Sequence, residues 1–322
     1  MMHVVVTGAN GFVGRALCRT LIEDGHRVTG IVRGAGTAPF GVDECVYTGH
    51  EFADICEHWP AAPGAVDCIV HLAARVHVMN DSASDPDAEF RAMNVDGTLR
   101  IAEAAHRYGV RRIVYVSSIK AIAESDGGLS LHEDAPARPE DPYGRSKHDA
   151  EMLLRQFSDS TGLETVIVRP PLVYGPEVRA NFLRMIDAVS RGIPLPLGAV
   201  AARRSIVYID NLADALLHCA SDPCATLECF HVADDDPPSV SELLRMVGDA
   251  LGRPARLFPV PLPALRLVGR LTGRSAALDR LTGSLQLDTS RIKRVLEWHP
   301  PYTTRQGLEA TAAWYRSRDT RK

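Results

Sequence analysis

The chain has 322 residues, enough for one large domain or two closely joined ones, and 45% of them are hydrophobic, as in an ordinary globular protein. Its 36 basic residues against 40 acidic ones leave a net charge of −4, which argues against nucleic-acid binding. Seven cysteines without a CxxC pair, and no apolar stretch of the ~18 residues that span a bilayer, predict a cytoplasmic protein with free thiols, no metal and no membrane insertion.

Short β-branched segments alternate along the first half of the chain with segments whose apolar residues recur at helical spacing. Strands are predicted at 3–7, 26–32, 44–48, 67–73, 112–118 and 164–170. Repeated strand–helix units of this kind form a parallel sheet that is covered by helices on both faces. We therefore predict an α/β fold with a Rossmann-type doubly wound parallel sheet.

The second half of the chain, after residue 176, is richer in Pro and Arg and less regular. Residues 203–220 predict a strand followed by a helix, and 229–234 predict a strand that returns to the sheet. We expect a first domain of residues 1–176 with 205–234, and a smaller C-terminal domain of 177–204 with 235–322. Within the latter, the apolar and basic segment 259–274 is predicted to be a packed helix.

Three glycines, Gly8, Gly11 and Gly14, lie between the first predicted strand and the first predicted helix. Glycines permit a tight turn there, and the N–H groups at the start of the helix favour a pyrophosphate. The position of the loop, after a strand and before an apolar helix, predicts that the first domain binds a dinucleotide. Cofactor contacts are expected from Gly8, Asn10, Gly11, Phe12 and Val13.

The second predicted strand ends in Val32 and Arg33, where many NAD enzymes place an acidic residue. An acid would bond the ribose hydroxyls and repel a 2′-phosphate, whereas Arg33 can form charge-assisted hydrogen bonds to a phosphate. The substitution predicts a preference for NADP(H), with NAD(H) tolerated. The alternative is that Arg33 is a solvated loop residue.

Tyr143 and Lys147 stand four residues apart in a predicted helix and share one of its faces. The Lys147 ammonium is expected to stabilise the phenolate and lower the pKa of Tyr143, which suits a proton donor or acceptor. Ser118 ends the fifth predicted strand, at the edge where ligands of such sheets bind, and Ser117 is the alternative hydroxyl. We predict that Ser118, Tyr143 and Lys147 are the catalytic residues.

The glycine loop, Ser118 and the Tyr143–Lys147 pair together resemble the short-chain dehydrogenase/reductase superfamily. HLAA at 71–74, NVDGT at 94–98 and RPPLVYGP at 169–176 are similar to its extended branch of NAD-dependent epimerases and dehydratases, which modify nucleotide sugars. The resemblance implies that Asn94 is a structural or cofactor-loop residue. It also implies cofactor contacts from Leu72, Ala73, Ala74, Tyr143, Lys147, Pro170 and Val173.

The same resemblance implies that the C-terminal domain binds the nucleotide diphosphate of a UDP-sugar. Asn181 and Arg204 correspond to residues that contact the diphosphate, and Arg280 is a further candidate that does not align cleanly. Ser118 and Lys120 are expected near the sugar, although Lys120 is equally compatible with a salt-bridged position at the rim. Many members of this family pair through two long helices, so we expect a homodimer through 88–107 and 143–158.

Three reactions compete within such a family. 4,6-Dehydration is disfavoured, because Ile119 and Lys120 occupy the positions where dehydratases carry an acidic pair. Segments 117–121, 169–185 and 192–205 resemble the 4-reductases of bacterial O-antigen synthesis, so the main interpretation is NADPH-dependent reduction of a UDP-4-keto-6-deoxy-N-acetylhexosamine. The alternative is a UDP-sugar 4-epimerase with tightly bound NAD. From another class, a non-catalytic NADP sensor on the same fold is disfavoured by the presence of both Tyr143 and Lys147.

Overall fold

The computed structural model of the protein describes residues 1–76, 85–271 and 275–319, without the side chains of residues 268, 269, 275–277, 280 and 319. The strands are β1 His3–Thr7, β2 Arg27–Val32, β3 Asp43–Val46, β4 Cys68–His71, β5 Arg112–Val116, β6 Glu164–Arg169, β7 Leu172–Tyr174, β8 Ile206–Tyr208 and β9 Cys229–His231. The helices are α1 Phe12–Glu23, α2 Pro86–Arg91, α3 Gly97–Arg107, α4 Pro142–Thr161, α5 Ala180–Ser190, α6 Ile209–Ser221, α7 Val240–Leu251, α8 Leu262–Leu271, α9 Ser275–Thr282, α10 Ser290–Val295 and α11 Thr304–Asp319. Among the described residues, none of the helices combines the length and apolar character needed to cross a bilayer.

Seven strands form one sheet in the order β3-β2-β1-β4-β5-β6-β9, and all six pairings are parallel. Successive residues of a strand point to opposite faces. Val4 and Val6 accordingly pack in one apolar layer with Leu17 of α1, whereas Val5 packs in the other with Ile101 of α3. The predicted Rossmann-type sheet, buried on both faces, is confirmed.

The strand order reverses between β1 and β4, because the chain builds outward from β1 in one direction and then in the other. Loops that follow the two strands diverge at such a switch point and leave a crevice at the carboxyl ends of the strands. Gly8 after β1, Leu72 after β4 and Ser118 after β5 all belong to this end of the sheet. The topology therefore collects the predicted site residues at one edge.

Several strands end before the predicted residue, and two of these shorter ends concern the site. β4 ends at His71 and β5 at Val116, so Leu72 and Ser118 lie in loops beyond the strands. In the second half, β9 joins β6 at the sheet edge, whereas β8 pairs with β7 in a separate two-stranded sheet. A helix is present in the 259–274 segment as α8, with Leu265 buried. The division into two domains stays a prediction.

Candidate functional site

The glycine loop is closed so tightly that side chains are excluded from it. Gly8 has a φ of +69°, and a Cβ atom on it would lie 3.2 Å from the amide nitrogen of Ala73. A Cβ on Gly14 would lie only 2.2 Å from the carbonyl oxygen of Gly8. Helix α1 begins after Gly11 with no side-chain cap and no acidic residue in its first turn. These features fit an anionic pyrophosphate above the helix N-terminus.

Several neighbours of this loop are the residues predicted to line the cofactor. The backbone N–H groups of Leu72 and Ala73 each donate to the Thr7 hydroxyl at 3.1 Å, which holds the loop after β4 against the end of β1. Asn10 donates to the Thr37 hydroxyl at 3.0 Å and so connects the glycine loop with the loop after β2. Phe12, Val13 and Ala74 lie nearby in sequence and are partly buried. The loops after β1, β2 and β4 are thus tied together around the glycine loop.

The end of β2 carries Val32 buried and Arg33 exposed to solvent. The loop that follows is organised by Glu44 on β3, whose carboxylate accepts the N–H groups of Gly36, Thr37 and Ala38 at 2.8–3.0 Å. Arg33 therefore stands on the exposed side of the strand end, where a ribose phosphate of a dinucleotide could reach it. No carboxylate occupies either strand-end position.

Ser118 lies beside Tyr143, and hydrogen bonding from its hydroxyl acts to lower the pKa of Tyr143. Ser118 begins a single 3₁₀ turn, Ile119–Ala121, and its oxygen accepts the N–H of Lys120 at 3.2 Å. Ser117 is buried, and its hydroxyl instead donates to Glu151 at 2.5 Å. Ser118, and not Ser117, is therefore the hydroxyl beside Tyr143.

The sequence around Tyr143 explains how helix α4 presents it. Asp141 caps the helix by accepting the Gly144 N–H at 2.7 Å, and Pro142 occupies the first helical position, which tolerates its missing N–H. A Cβ on Gly144 would lie 2.4 Å from the carbonyl oxygen of Lys120. Only glycine permits this close approach of the helix to the Ser118 turn.

Lys147 is buried on the same face of α4 as Tyr143. Its ammonium donates to the Val116 carbonyl at 2.9 Å and lies 4.6 Å from the centre of the Tyr115 ring, compared with 6.0 Å for the Tyr143 ring. Burial lowers the pKa of Lys147 to about 7. The ammonium thus lies nearer to the Val116 carbonyl and the Tyr115 ring than to the Tyr143 ring.

The expected lowering of the pKa of Tyr143 is not found in this structure. Burial raises that pKa to about 12, the hydrogen bond with Ser118 opposes the rise, and the charge of Asp141 adds to it. The prediction overlooked that burying both side chains favours the neutral form of each. At neutral pH, Tyr143 is therefore a phenol that is ready to donate a proton.

Lys120 forms two salt bridges beside Ser118 and Tyr143. Its ammonium donates to Glu124 at 2.8 Å and to Asp141 at 2.6 Å. Burial acts to raise the pKa of Asp141, but the hydrogen bonds from Lys120 and Gly144 bring it below its ordinary value. The same cation thus joins the turn that carries Ser118 to the helix start that carries Tyr143.

The predicted substrate residues lie on several elements. Arg204 is partly buried and donates to the Gly283 carbonyl at 2.8 Å, and burial lowers its pKa although the nearby charge of Glu124 opposes this. Asn181 lies exposed in the first turn of α5. The side chain of Arg280 is outside the described residues. Pro170 is buried directly after β6, and Val173 is partly buried in β7.

Two buried polar residues belong to the framework of the site: Asn94, for which the resemblance implied a structural or cofactor-loop role, and Glu151, which was not predicted. Asn94 accepts the Arg75 N–H at 2.8 Å and donates to Arg75 and to Ser146, so it ties the loop after β4 to α4. Glu151, one helical turn beyond Lys147, is buried in an ion pair with Arg169. Its position four residues after Lys147 was the available signal, since i and i+4 residues share a helix face.

Comparison with known proteins agrees with this geometry. Residues 4–228 match a family model described as the NAD dependent epimerase/dehydratase family. The chain is 38% identical over 312 residues to the UDP-glucose 4-epimerase of Vibrio cholerae, covering 96% of this chain and 94% of that protein. It is 28% identical over 331 residues to the UDP-glucose 4-epimerase of Mycolicibacterium smegmatis, covering 98% and 99%.

A solved structure shares the fold. The UDP-glucose 4-epimerase of Thermotoga maritima, determined with UDP-glucose, matches with a TM-score of 0.77 at 23% identity, over 98% of this chain and 99% of that one. Sheet order, glycine loop and family match thus agree with the resemblance that the motifs predicted. The chain is an enzyme that belongs to the NAD-dependent epimerase/dehydratase family of the short-chain dehydrogenase/reductase superfamily.

Proposed function

We propose that the protein is a UDP-sugar 4-epimerase that works with bound NAD. The observation that carries the proposal is that Ser118 lies beside Tyr143, with Lys147 buried on the same helix, at the sheet edge that also holds the glycine loop. The likeness to relatives named UDP-glucose 4-epimerase supports this alternative better than the reductase that the sequence favoured.

The chemistry follows from the protonation states of the three side chains. When bound, the nicotinamide exchanges a hydride with C4 of the sugar. As the phenolate that would form once cofactor and sugar fill the site, Tyr143 Oη takes the proton of the C4 hydroxyl during oxidation and returns it to the oxygen on the opposite face of the turned keto sugar. Ser118 Oγ hydrogen-bonds the same oxygen, and Lys147 contributes a positive charge beneath the phenol.

A second candidate is the NADPH-dependent 4-reductase of a UDP-4-keto sugar in bacterial surface-polysaccharide synthesis. The observation that favours it is Arg33 at the exposed end of β2, where an NAD enzyme would place an acid. A reductase also needs Tyr143 as a neutral proton donor, which is its state at neutral pH. The two candidates share the site and differ in whether the cofactor is consumed.

The sugar nucleotide is proposed to lie between the catalytic cluster and the C-terminal half. Arg204 is proposed to bind the diphosphate. The charge of Glu124 acts on its guanidinium, and Glu124 in turn accepts a hydrogen bond from Lys120, which relates Arg204 to the catalytic cluster. Asn181 and Arg280 remain proposed diphosphate contacts. Lys120 remains a proposed sugar contact, although two of its three N–H donors are already engaged.

Product analysis separates the two candidates. The enzyme is incubated with UDP-glucose, UDP-GlcNAc and the 4-keto-6-deoxy derivative of UDP-GlcNAc, each with and without NADPH, while reduced-nicotinamide absorbance is followed. We expect interconversion of gluco and galacto forms with no net change in absorbance. Stoichiometric NADPH loss with the keto sugar alone would instead establish the reductase.

Tyr143→Phe tests whether the site is catalytic. Loss of the proton donor should lower kcat by about 10²- to 10⁴-fold. NADH binding, followed by fluorescence titration, should remain, because the phenyl ring stays in place. Tyr108→Phe is the matched control: Tyr108 donates to the Cys56 carbonyl beneath the far end of α3, and its loss should leave kcat unchanged. A Tyr143→Phe enzyme with full turnover would refute the assignment.

A further inference from the structure

Glu151 is the most deeply buried carboxylate beside the catalytic cluster, with 1% of its surface exposed. It accepts the Ser117 hydroxyl at 2.5 Å. It also accepts Arg169 through two nitrogens, Nε at 2.9 and 3.2 Å and a terminal nitrogen at 2.5 Å. A buried carboxylate needs such bonds to remain charged. Its oxygens are therefore held by residues at the ends of two strands, Ser117 directly after β5 and Arg169 at the end of β6.

Those strand ends are the ones that carry the site. Ser117 directly precedes Ser118, and Arg169 directly precedes Pro170, which is predicted to flank the nicotinamide. Glu151 itself is on α4, one turn beyond Lys147 and on the same face. One carboxylate thus connects the end of β5, the end of β6 and the catalytic helix.

Glu151 also provides the negative charge that acts on Lys147. The titratable groups that interact with the Lys147 ammonium are Tyr143 and Glu151 on α4, Tyr115 on β5 and His71 on β4. Burial keeps Tyr143 and Tyr115 as neutral phenols, and burial lowers the pKa of His71 to about 3, so it is a neutral imidazole. Of these groups, Glu151 is the one whose charge raises the pKa of Lys147.

We infer that Glu151 is a positioning residue that fixes the segments of Ser118, Lys147 and Pro170 relative to one another and keeps Lys147 charged. The inference rests on the proposed function, since it assumes that Lys147 serves the cofactor and Tyr143. Arg169 matters because it holds the Glu151 carboxylate in place. Arg169 also donates a hydrogen bond to the Glu133 carbonyl at 2.8 Å.

The test is the pH dependence of NADH affinity and of turnover in Glu151→Gln. A neutral Lys147 forms weaker hydrogen bonds to the cofactor ribose, so wild-type affinity should fall by about tenfold as the pH rises through the pKa of Lys147. Removing the anion lowers that pKa, so neutral Lys147 appears at lower pH. The midpoint of the affinity loss should therefore move down by about one pH unit. In Glu151→Gln the kcat at neutral pH should also fall, because less Lys147 is charged there, while the KM for the sugar changes little.

Two further variants keep the test decisive. Glu151→Gln combined with Arg169→Gln removes both buried charges, so the fold carries no unpaired ion, and it should show the same downward shift. Glu164→Gln breaks a second Arg–Glu pair of the sheet, between the buried Arg112 and the partly exposed Glu164, away from the site, and should leave the midpoint unmoved.

A wild-type midpoint in either Glu151 variant would overturn the inference, and so would an equal shift in Glu164→Gln. If Tyr143→Phe abolishes turnover while the Glu151 variants titrate like wild type, the proposed function stands and the inference alone fails. If Tyr143→Phe is fully active, the proposed function fails, whatever the NADH titration of the Glu151 variants shows.

Discussion

Tyr143 and Lys147 show how burial changes the chemistry of single residues. In water a tyrosine is a weak acid and a lysine is fully charged, and proximity alone suggested that the ammonium would acidify the phenol. Burial instead raises the pKa of Tyr143 to about 12 and lowers that of Lys147 to about 7. The resting site is therefore set for proton donation, and proton acceptance requires a change of electrostatics when the site is filled.

Arg33 is the residue that bears on cofactor choice. Arg33→Asp should lower the ratio of kcat/KM for NADPH over NADH by about tenfold or more, because a carboxylate repels a 2′-phosphate and a guanidinium bonds it. Turnover or binding with both cofactors measures the ratio. Arg27→Gln, at the opposite end of β2, is the control and should leave it unchanged. An unaltered ratio in Arg33→Asp would show that Arg33 is only a solvated loop residue.

At the scale of elements, the catalytic cluster depends on how closely the Ser118 turn approaches the start of α4. Gly144 permits the approach, Asp141 caps the helix, and Lys120 links the two elements through its ion pair with Asp141. This linkage also places a carboxylate near Tyr143, and the charge of Asp141 raises the pKa of that phenol. The cation of Lys120 offsets part of that effect.

Lys120→Met should therefore act through Tyr143. Without the cation, the Asp141 carboxylate raises the pKa of Tyr143 further, so the phenolate that accepts a proton from the sugar requires a higher pH. We expect the rising limb of the pH–rate profile for C4 oxidation to move upward and kcat at neutral pH to fall on the order of tenfold. Lys120→Arg should retain the profile. A raised sugar KM with an unmoved profile would show that Lys120 contacts the sugar instead.

At the scale of the whole molecule, the order of the sheet decides where the site can form. The reversal between β1 and β4 opens one crevice, and the loops after β1, β4 and β5 all enter it. The two apolar layers on either side of the sheet hold these strand ends rigidly. Such a frame suits a site whose three proposed catalytic side chains come from two different elements, the loop after β5 and helix α4.

The predicted homodimer belongs to the same scale. Helix α4 packs against α3 and exposes 47% of Met152. If α3 and α4 pair with their copies across a two-fold axis, a charge at Met152 is buried in the interface. Met152→Glu should therefore convert a dimer into a monomer in sedimentation velocity. Leu129→Glu, an exposed leucine outside those helices, should not. A monomeric wild-type enzyme would contradict the prediction.

The sequence by itself determined the parallel sheet and the glycine loop, and it singled out the three residues that we propose to be catalytic. These are local properties: burial on both faces produces β-branched runs, a close backbone approach requires glycine, and four-residue spacing places side chains on one helix face. The family followed from the same motifs, because they recur at fixed places in the fold.

Only the tertiary structure decided which groups meet across the chain. Lys120 reaches Asp141, 21 residues away, Glu151 reaches Ser117 and Arg169, and β8 pairs with β7 instead of entering the main sheet. Such partners depend on which strand ends and helix starts come together in space. The protonation states of Tyr143 and Lys147 depend on the same packing, because burial and not sequence spacing controls the desolvation of each group.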